Sequence, residues 1–201
     1  GRIHCQTAGS MRFNEDLGTL EFYTGDMWKT VNSYKDVGNR GRGFWIGGFG
    51  PTSSGRSRTI DYVNIQSLGN AVKFGELLTT TVGTGNEGSM SCGNEIRGLI
   101  GGGNGPSGTA AYIQYITTAS EGNAINFGNL SQTRFRGSAL ANSTRGLFCG
   151  GRNPGSFNTI DYVEIMTLGD SIDFGDLTHV QRMPGTCSPS TRGLINGGQG
   201  G

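Results

Sequence analysis

Arg42-Gly43-Phe44-Trp45-Ile46-Gly47-Gly48 recurs as Arg97-Gly98-Leu99-Ile100-Gly101-Gly102-Gly103, as Arg145-Gly146-Leu147-Phe148-Cys149-Gly150-Gly151 and as Arg192-Gly193-Leu194-Ile195-Asn196-Gly197-Gly198. The arginines stand 55, 48 and 47 residues apart. A second block follows each of the first three copies: Ile60-Asp61-Tyr62-Val63, Ile113-Gln114-Tyr115-Ile116 and Ile160-Asp161-Tyr162-Val163. A third block runs Gly69-Asn70-Ala71-Val72-Lys73-Phe74-Gly75-Glu76-Leu77. Its counterparts begin at Gly122 and Gly169 and carry Phe127 and Phe174 in the place of Phe74. The Ile of the second block precedes the Phe of the third by 14 residues every time. Blocks in one order with one fixed spacing are a repeat, and the variation in length falls between blocks, where loops absorb it.

Each repeat is expected to be a set of short strands. The Arg-Gly-apolar segment is one and its Gly pair ends it. Residues 60–65 are a second, with β-branched and aromatic residues on both faces. Residues 71–74 are a third, entered through a Gly-Asn turn of the hairpin kind. The Ser/Thr-rich residues 79–82 are the candidate fourth. Helical periodicity is absent. One Ile, one Tyr and one Phe per unit bury too little surface to offset the ordering of nearly fifty residues, so units must stack and share a core. Four strands in such a length is the size of a propeller blade. Crowded inner strand ends favour residues without a Cβ, which suits the Gly pairs.

Residues 41–201 on this evidence resemble the kelch-like β-propeller repeat, whose blades carry a Gly-Gly pair after an apolar strand. The chain departs from that pattern in its aromatics. Tyr62, Tyr115 and Tyr162 follow the Gly pair by 11 to 14 residues, and no repeat carries the usual Trp after it. The Arg-Gly…Gly-Gly, Ile-x-Tyr, Gly-x-x-x-x-Phe-Gly-x-Leu version is similar to repeats of virion proteins of tailed phages, especially phages of marine cyanobacteria. The expected fold is all-β: repeats 42–96, 97–144 and 145–191, then the opening strand of a fourth over 192–201. Three repeats and one strand leave closure open. Another segment completes the last blade, several chains combine, or the chain is part of a longer fibre. A strand near the N-terminus pairing with the Arg192 strand is the ordinary solution.

Residues 1–36 lie outside the repeat. In Gly9-Ser10-Met11-Arg12-Phe13, apolar and polar residues alternate. Leu17-Gly18 turns, residues 20–23 return, and Thr24-Gly25-Asp26 turns again before Trp28, as in a small β-meander. About 25 residues hold no independent core, so this module is expected to pack against a partner. It resembles a module of phage tail-fibre and other virion proteins with the pattern GS-I-R-F-N, L-E-Y-Y, Asn or Asp, Gly, then Trp. Residues 31–40 read as the linker to the repeat domain, 37–201.

Composition narrows the field further. Glycine supplies 38 of 201 residues without a Gly-X-Y period, so collagen is excluded. No apolar run reaches the length of a membrane-spanning helix. The formal net charge is +1, so nothing points to nucleic acid. The chain opens on Gly1 rather than Met, which suggests processing or a fragment, and its first residues carry no apolar signal-peptide core. Cys5, Cys92, Cys149 and Cys187 form no C-x-x-C and are expected as free thiols. Cys149 stands where sibling strands carry Ile46 and Gly101, as a small packing residue, while Cys92 and Cys187 are assigned to polar loops.

Little catalytic chemistry is visible. His4 and His179 have no second ligand at metal spacing, and His179 is expected on an exposed loop. Residues 101–108 are Gly-rich but lack the Lys-Ser/Thr and the following helix of a phosphate loop. Asp170, Asp173 and Asp176 could hold one calcium ion, but their siblings Lys73 and Asn126 exclude a repeated site. The Asp-box of sialidase propellers and a carboxylate pair for glycoside hydrolysis are missing. No catalytic residue, metal or cofactor is assigned. Arg42, Arg97, Arg145 and Arg192 either form a cationic ring for an anionic glycan or bridge each unit to the next through backbone carbonyls or the second-block Asp. Recurrence in every copy favours the bridge. Binding is expected where copies differ: the loops 49–58, 104–109 and 152–158, with Phe49, Arg56, Arg58, Arg152 and Phe157 able to stack on or hydrogen-bond a sugar. The resemblances imply a virion protein, as a tail fibre or a surface decoration. Its partners would be other virion proteins, further copies of itself, and a host-surface glycan or protein. A decoration protein without ligand, or a polysaccharide-degrading propeller enzyme, are the rival readings.

Overall fold

The computed structural model describes residues 7–15, 19–31, 41–50, 55–78, 85–188 and 191–200. Every regular element among them is a β-strand. The chain divides into two compact units, Gly1–Asp36 and Val37–Gly201.

The first unit is an antiparallel meander of β1 (Met11–Asn14), β2 (Thr19–Tyr23) and β3 (Trp28–Thr30). Met11 lies opposite Phe22 and Phe13 opposite Leu20. Strand alternation sends these four side chains to one face, where all are exposed. On the other face Arg12 pairs with the buried carboxylate of Glu21 at 2.9 Å. The Arg12 guanidinium also lies 4.2 Å above the Trp28 ring, which sits 5.4 Å from Tyr23.

The second unit is a series of antiparallel sheets. The first joins β4 (Arg42–Phe49), β5 (Arg56–Asn64) and β6 (Val72–Glu76). The second runs β7 (Met90–Gly93), β8 (Arg97–Gly101), β11 (Tyr112–Thr117), β12 (Ile125–Asn129), with a small hairpin of β9 (Asn104–Gly105) and β10 (Gly108–Thr109) inserted after β8. The third runs β13 (Ser138–Ala141), β14 (Arg145–Cys149), β15 (Phe157–Glu164), β16 (Ile172–Gln181). A hairpin of β17 (Gly185–Cys187) and β18 (Leu194–Asn196) ends the series.

The sheets are out of phase with the sequence blocks. Each full sheet begins one strand before its arginine, with Met90-Ser91-Cys92-Gly93 or Ser138-Ala139-Leu140-Ala141, so Cys92 and Cys187 lie in strands rather than loops. The expected fourth strand at 79–82 falls outside the described residues. The strand after Arg192 pairs with β17 and not with an N-terminal strand. No strand pairing among the described residues closes the series into a ring. The Gly-Asn segments are not the hairpin turns either. The chain turns just before them, at Asn64–Ser67 and Glu164–Thr167.

One bulge recurs in all three sheets. Ile60, Ile113 and Ile160 pair with Gly75, Gly128 and Gly175, but the next residues pair two positions back, with Lys73, Asn126 and Asp173. The extra residue is the third-block Phe. Its ring meets the second-block Tyr edge-on, at 5.8 Å for Phe74, 6.2 Å for Phe127 and 5.9 Å for Phe174.

The core lies between sheets. Ile60, Phe74 and Leu77 of the first sheet pack with Ile100, Ile116 and Ala124 of the second. Met90, Leu99, Ile113, Phe127 and Leu130 of the second pack with Phe148, Val163 and Ile165 of the third. Leu140, Cys149 and Ile160 of the third receive Ile195 from the final hairpin. The first strands β7, β13 and β17 lie beside one another. Just before them, Gly88, Arg136 and Met183 share a left-handed conformation, φ 63°, 56° and 56°. The Arg136 amide donates to the Gly88 carbonyl and the Met183 amide to that of Arg136, both at 2.6 Å.

The Gly pairs have a double cause. Both members take positive φ in all four copies, near 62° and then near 105°: Gly47 and Gly48 (62°, 107°), Gly102 and Gly103 (62°, 114°), Gly150 and Gly151 (61°, 103°), Gly197 and Gly198 (64°, 98°). In the first three pairs the second glycine donates its amide to the carbonyl of Asn86, Arg134 or Gln181. A Cβ on the first glycine would collide with that same carbonyl.

Candidate functional site

Two of the four recurrent arginines, Arg42 and Arg97, bridge their sheet to the next. Arg42 lies 4.9 Å over the Tyr62 ring, Arg97 4.5 Å over Tyr115 and Arg145 5.1 Å over Tyr162. From that stack Arg42 donates to the Thr118 carbonyl of the next sheet at 2.7 Å, and Arg97 to the Ile165 carbonyl at 3.1 Å. Arg145 instead pairs with Glu164 on its own sheet at 2.8 Å. Arg192 is exposed before β18.

A second junction device uses the third block. The Gly122 amide donates to the Phe74 carbonyl, the Ala124 amide to the Glu76 carbonyl, and the Glu76 amide to the Asn123 side chain at 3.0 Å. One junction later Gly169, Ser171 and Asp170 repeat this against Phe127 and Asn129. A Cβ on Gly75 or Gly128 would run into the Gly122 or Gly169 carbonyl, so the Phe-Gly pair is fixed by its neighbour's backbone. A third device reaches the same way. Gln114 accepts from the Leu78 amide at 2.8 Å, and Asp161 accepts from the Ser131 amide at 2.9 Å and from its hydroxyl.

Asp161 carries one more partner. Arg134 and Asp161 form a wholly buried ion pair at 3.0 Å. Arg134 also donates to the Thr159 carbonyl at 3.0 Å and to that of Phe148 at 3.1 Å. Burial pulls the Arg134 guanidinium below its usual pKa, against the opposing effect of Asp161. Burial pushes the Cys92 thiol up to about 12, and Cys149 adds to that shift. It pushes Cys149 up to about 11 against the pull of Arg134. Cys149 is buried in the core between the third sheet and the final hairpin, and Cys92 packs half-buried against the core between the second and third sheets.

The variable loops gather at the ends marked by the Gly pairs, where one backbone bridge repeats with unlike side chains: Glu87 with Asn104, Phe135 with Arg152, Arg182 with Gln199. Phe49, paired with Arg56 across β4 and β5, is exposed, with Gly55 under its ring. Arg56 meets Glu87 at 3.2 Å, and Arg58 meets Glu76 at 2.5 Å, where Lys73 also binds at 2.6 Å. Arg136 stands 3.9 Å from Glu87 and 5.2 Å from the Phe135 ring. Arg152 flanks that ring at 5.8 Å and donates to the Pro154 carbonyl at 3.2 Å. Phe157 opens β15 and is half-buried. Residues 51–54 of the first loop lie outside the described residues.

Of the five sequence candidates, the structure pairs Phe49 with Arg56 and leaves Arg58 in a separate ion pair. It joins Arg152 to Phe135, and Glu87 and Arg136 link the two groups. Sequence reasoning missed Glu87, Phe135 and Arg136. They precede strands that the block pattern did not reveal, and no sibling repeats their identity.

Among the described residues no three His, Cys, Asp or Glu side chains gather as a metal site, so Asp170, Asp173 and Asp176 do not converge. Asp170 is taken by Asn129, and Asp173 accepts from the Gly175 amide at 3.0 Å. His179 lies in β16, exposed, in a strand rather than a loop. His4 and Cys5 lie outside the described residues. Comparison with models of known protein families and with curated proteins found no match.

Proposed function

We propose that the repeat sheets are kelch-like propeller blades of a tailed-phage virion protein, and that their loop ends adhere to a host-surface glycan or protein. The observation that carries this is the division of labour within each repeat. Arg42, Arg97, the Gly pairs of the first three copies, Phe74 and Phe127 are engaged in holding sheets together, while the same loop-end bridge presents Glu87 and Asn104, then Phe135 and Arg152, then Arg182 and Gln199. A phenylalanine flanked by two guanidinium groups suits the apolar face and hydroxyl rim of a sugar ring. The apolar face of the N-terminal meander is the attachment surface toward other virion proteins. Adhesion is non-catalytic and gains strength from copy number.

The test is glycan-array binding and particle adsorption with the double substitution Phe135→Ala and Arg152→Ala. Loss of binding with an unchanged melting temperature supports the reading, and unchanged adsorption removes it. A second reading, a decoration protein without ligand, is favoured by one observation: Arg56 and Arg58 are both held in internal ion pairs. An array without any hit on the unaltered chain would select it.

A further inference from the structure

The two full junctions, first sheet to second and second to third, bury the same positions. The incoming sheet brings a side chain from its second strand, Ile100 (1% exposed) or Phe148 (0%). It also brings the residue after its third strand, Thr118 (6%) or Ile165 (0%), and the small third residue of its third block, the buried Ala124 (2%) or the half-buried Ser171. In the first sheet these positions hold Trp45 (60%), Ile65 (69%) and Ala71, all exposed. The receiving sheet covers its third-block Phe, Phe74 or Phe127, each at 3%, whereas Phe174 of the third sheet stands 52% exposed. One end of the series is thus an unused head and the other an unused tail.

The tail is half occupied. Over the third sheet lies β17, a first strand, followed by β18, of only three residues. Ile195 of β18, the counterpart of Trp45, packs against Leu140, Cys149 and Ile160. Head and tail therefore carry the two complementary surfaces that meet at each full junction, with Trp45 of β4 and Ile195 of β18 competing for one position.

We propose that the repeat domain joins a second copy of itself head to tail. The incoming β4 displaces β18 beside β17, so that β17 of one chain and β4, β5 and β6 of the other form a shared sheet. The incoming Trp45 takes the place of Ile195. The incoming Gly69-Asn70-Ala71 closes on Phe174-Gly175-Asp176 as Gly122-Asn123-Ala124 closes on Phe74-Gly75-Glu76. Arg145 gains the Ile65 carbonyl, as Arg97 holds that of Ile165. The contact is heterologous, because different surfaces meet, so it propagates until a ring closes.

The test is sedimentation velocity on the full chain over a wide concentration range, with the head-blocking Ala71→Lys and the tail-blocking Phe174→Asp. Both positions are exposed in the single chain, and near-ultraviolet circular dichroism checks that each variant folds. The unaltered chain is expected to gain mass with concentration. Each variant alone stays monomeric, and their equimolar mixture forms dimers and stops there. Hydrogen exchange at Leu194–Asn196 rises on association. A chain that stays monomeric at every concentration overturns the proposal and leaves the exposed ends to a covalent continuation. So does association that both variants leave unchanged, which would move the contact elsewhere, the N-terminal apolar face included.

Discussion

Arg134 has no charged sibling: Asn86 and Gln181 occupy its place beside the Gly pairs of the flanking repeats. Its guanidinium is buried because Asp161 and two carbonyls surround it. Removing it by Arg134→Asn leaves a buried carboxylate with only Ser131, a loss of about 3–5 kcal/mol in urea unfolding. Adding Asp161→Gln, which copies the neutral Asn86 and Gln114 of the preceding junction, is expected to recover much of that loss. The thiols give a pH dependence at the same scale. Cys92 and Cys149 keep their protons to about 12 and about 11 in the fold, against 9.0 ordinarily. Above that ordinary value the unfolded chain binds fewer protons than the folded one, so stability falls as pH rises from there through the folded values. The urea midpoint should drop across this alkaline window, and drop less in Cys92→Ala.

At the level of elements, the strands that sequence made legible are those whose side chains do the same job in each copy. Arg-Gly-apolar strands carry the tyrosine stack in three copies, and Ile-x-Tyr strands carry the core. The first strands β7, β13 and β17 escaped because their neighbours specify them mainly through backbone and small side chains. Thr186 and Ser188, for instance, hold the Ala139 and Ala141 carbonyls at 2.8 Å. Runs of three or four mostly small residues with at most one large apolar side chain, Met90 or Leu140, are too short to show a strand period. The Gly-Asn segments were misassigned for a related reason. Their residue types suit a tight turn, but their partners lie one repeat away, beyond any local rule. The clasp can be weighed directly. Asp170→Ala removes two hydrogen bonds to Asn129 and is expected to cost about 1–2 kcal/mol in urea unfolding. Gly128→Ala should cost more, because its Cβ pushes the Gly169 carbonyl away.

Across the whole molecule, stability is shared between neighbours rather than owned by any sheet. The second sheet is covered on both sides, and Leu99, Ile100, Ile113 and Ile116 are almost fully buried. Amide exchange read by mass spectrometry should be slowest in β8 and β11, faster in β5 and β15, and fastest in β17 and β18. The loop-end surface was only partly legible at this scale. Phe49 and Arg152 were found by their variation between copies, whereas Glu87, Phe135 and Arg136 became visible only once the sheets were placed side by side.

The interlocking third blocks also make the length of this chain editable. Excising residues 97–144 would bring Gly169-Asp170-Ser171 against Phe74-Gly75-Glu76, and a glycine carbonyl would again face a glycine. Recombination between unequal copies would therefore yield shorter or longer descendants whose third-block clasps already fit, while Asp161, parted from Arg134, would need the neutral residue that Gln114 supplies at the first junction.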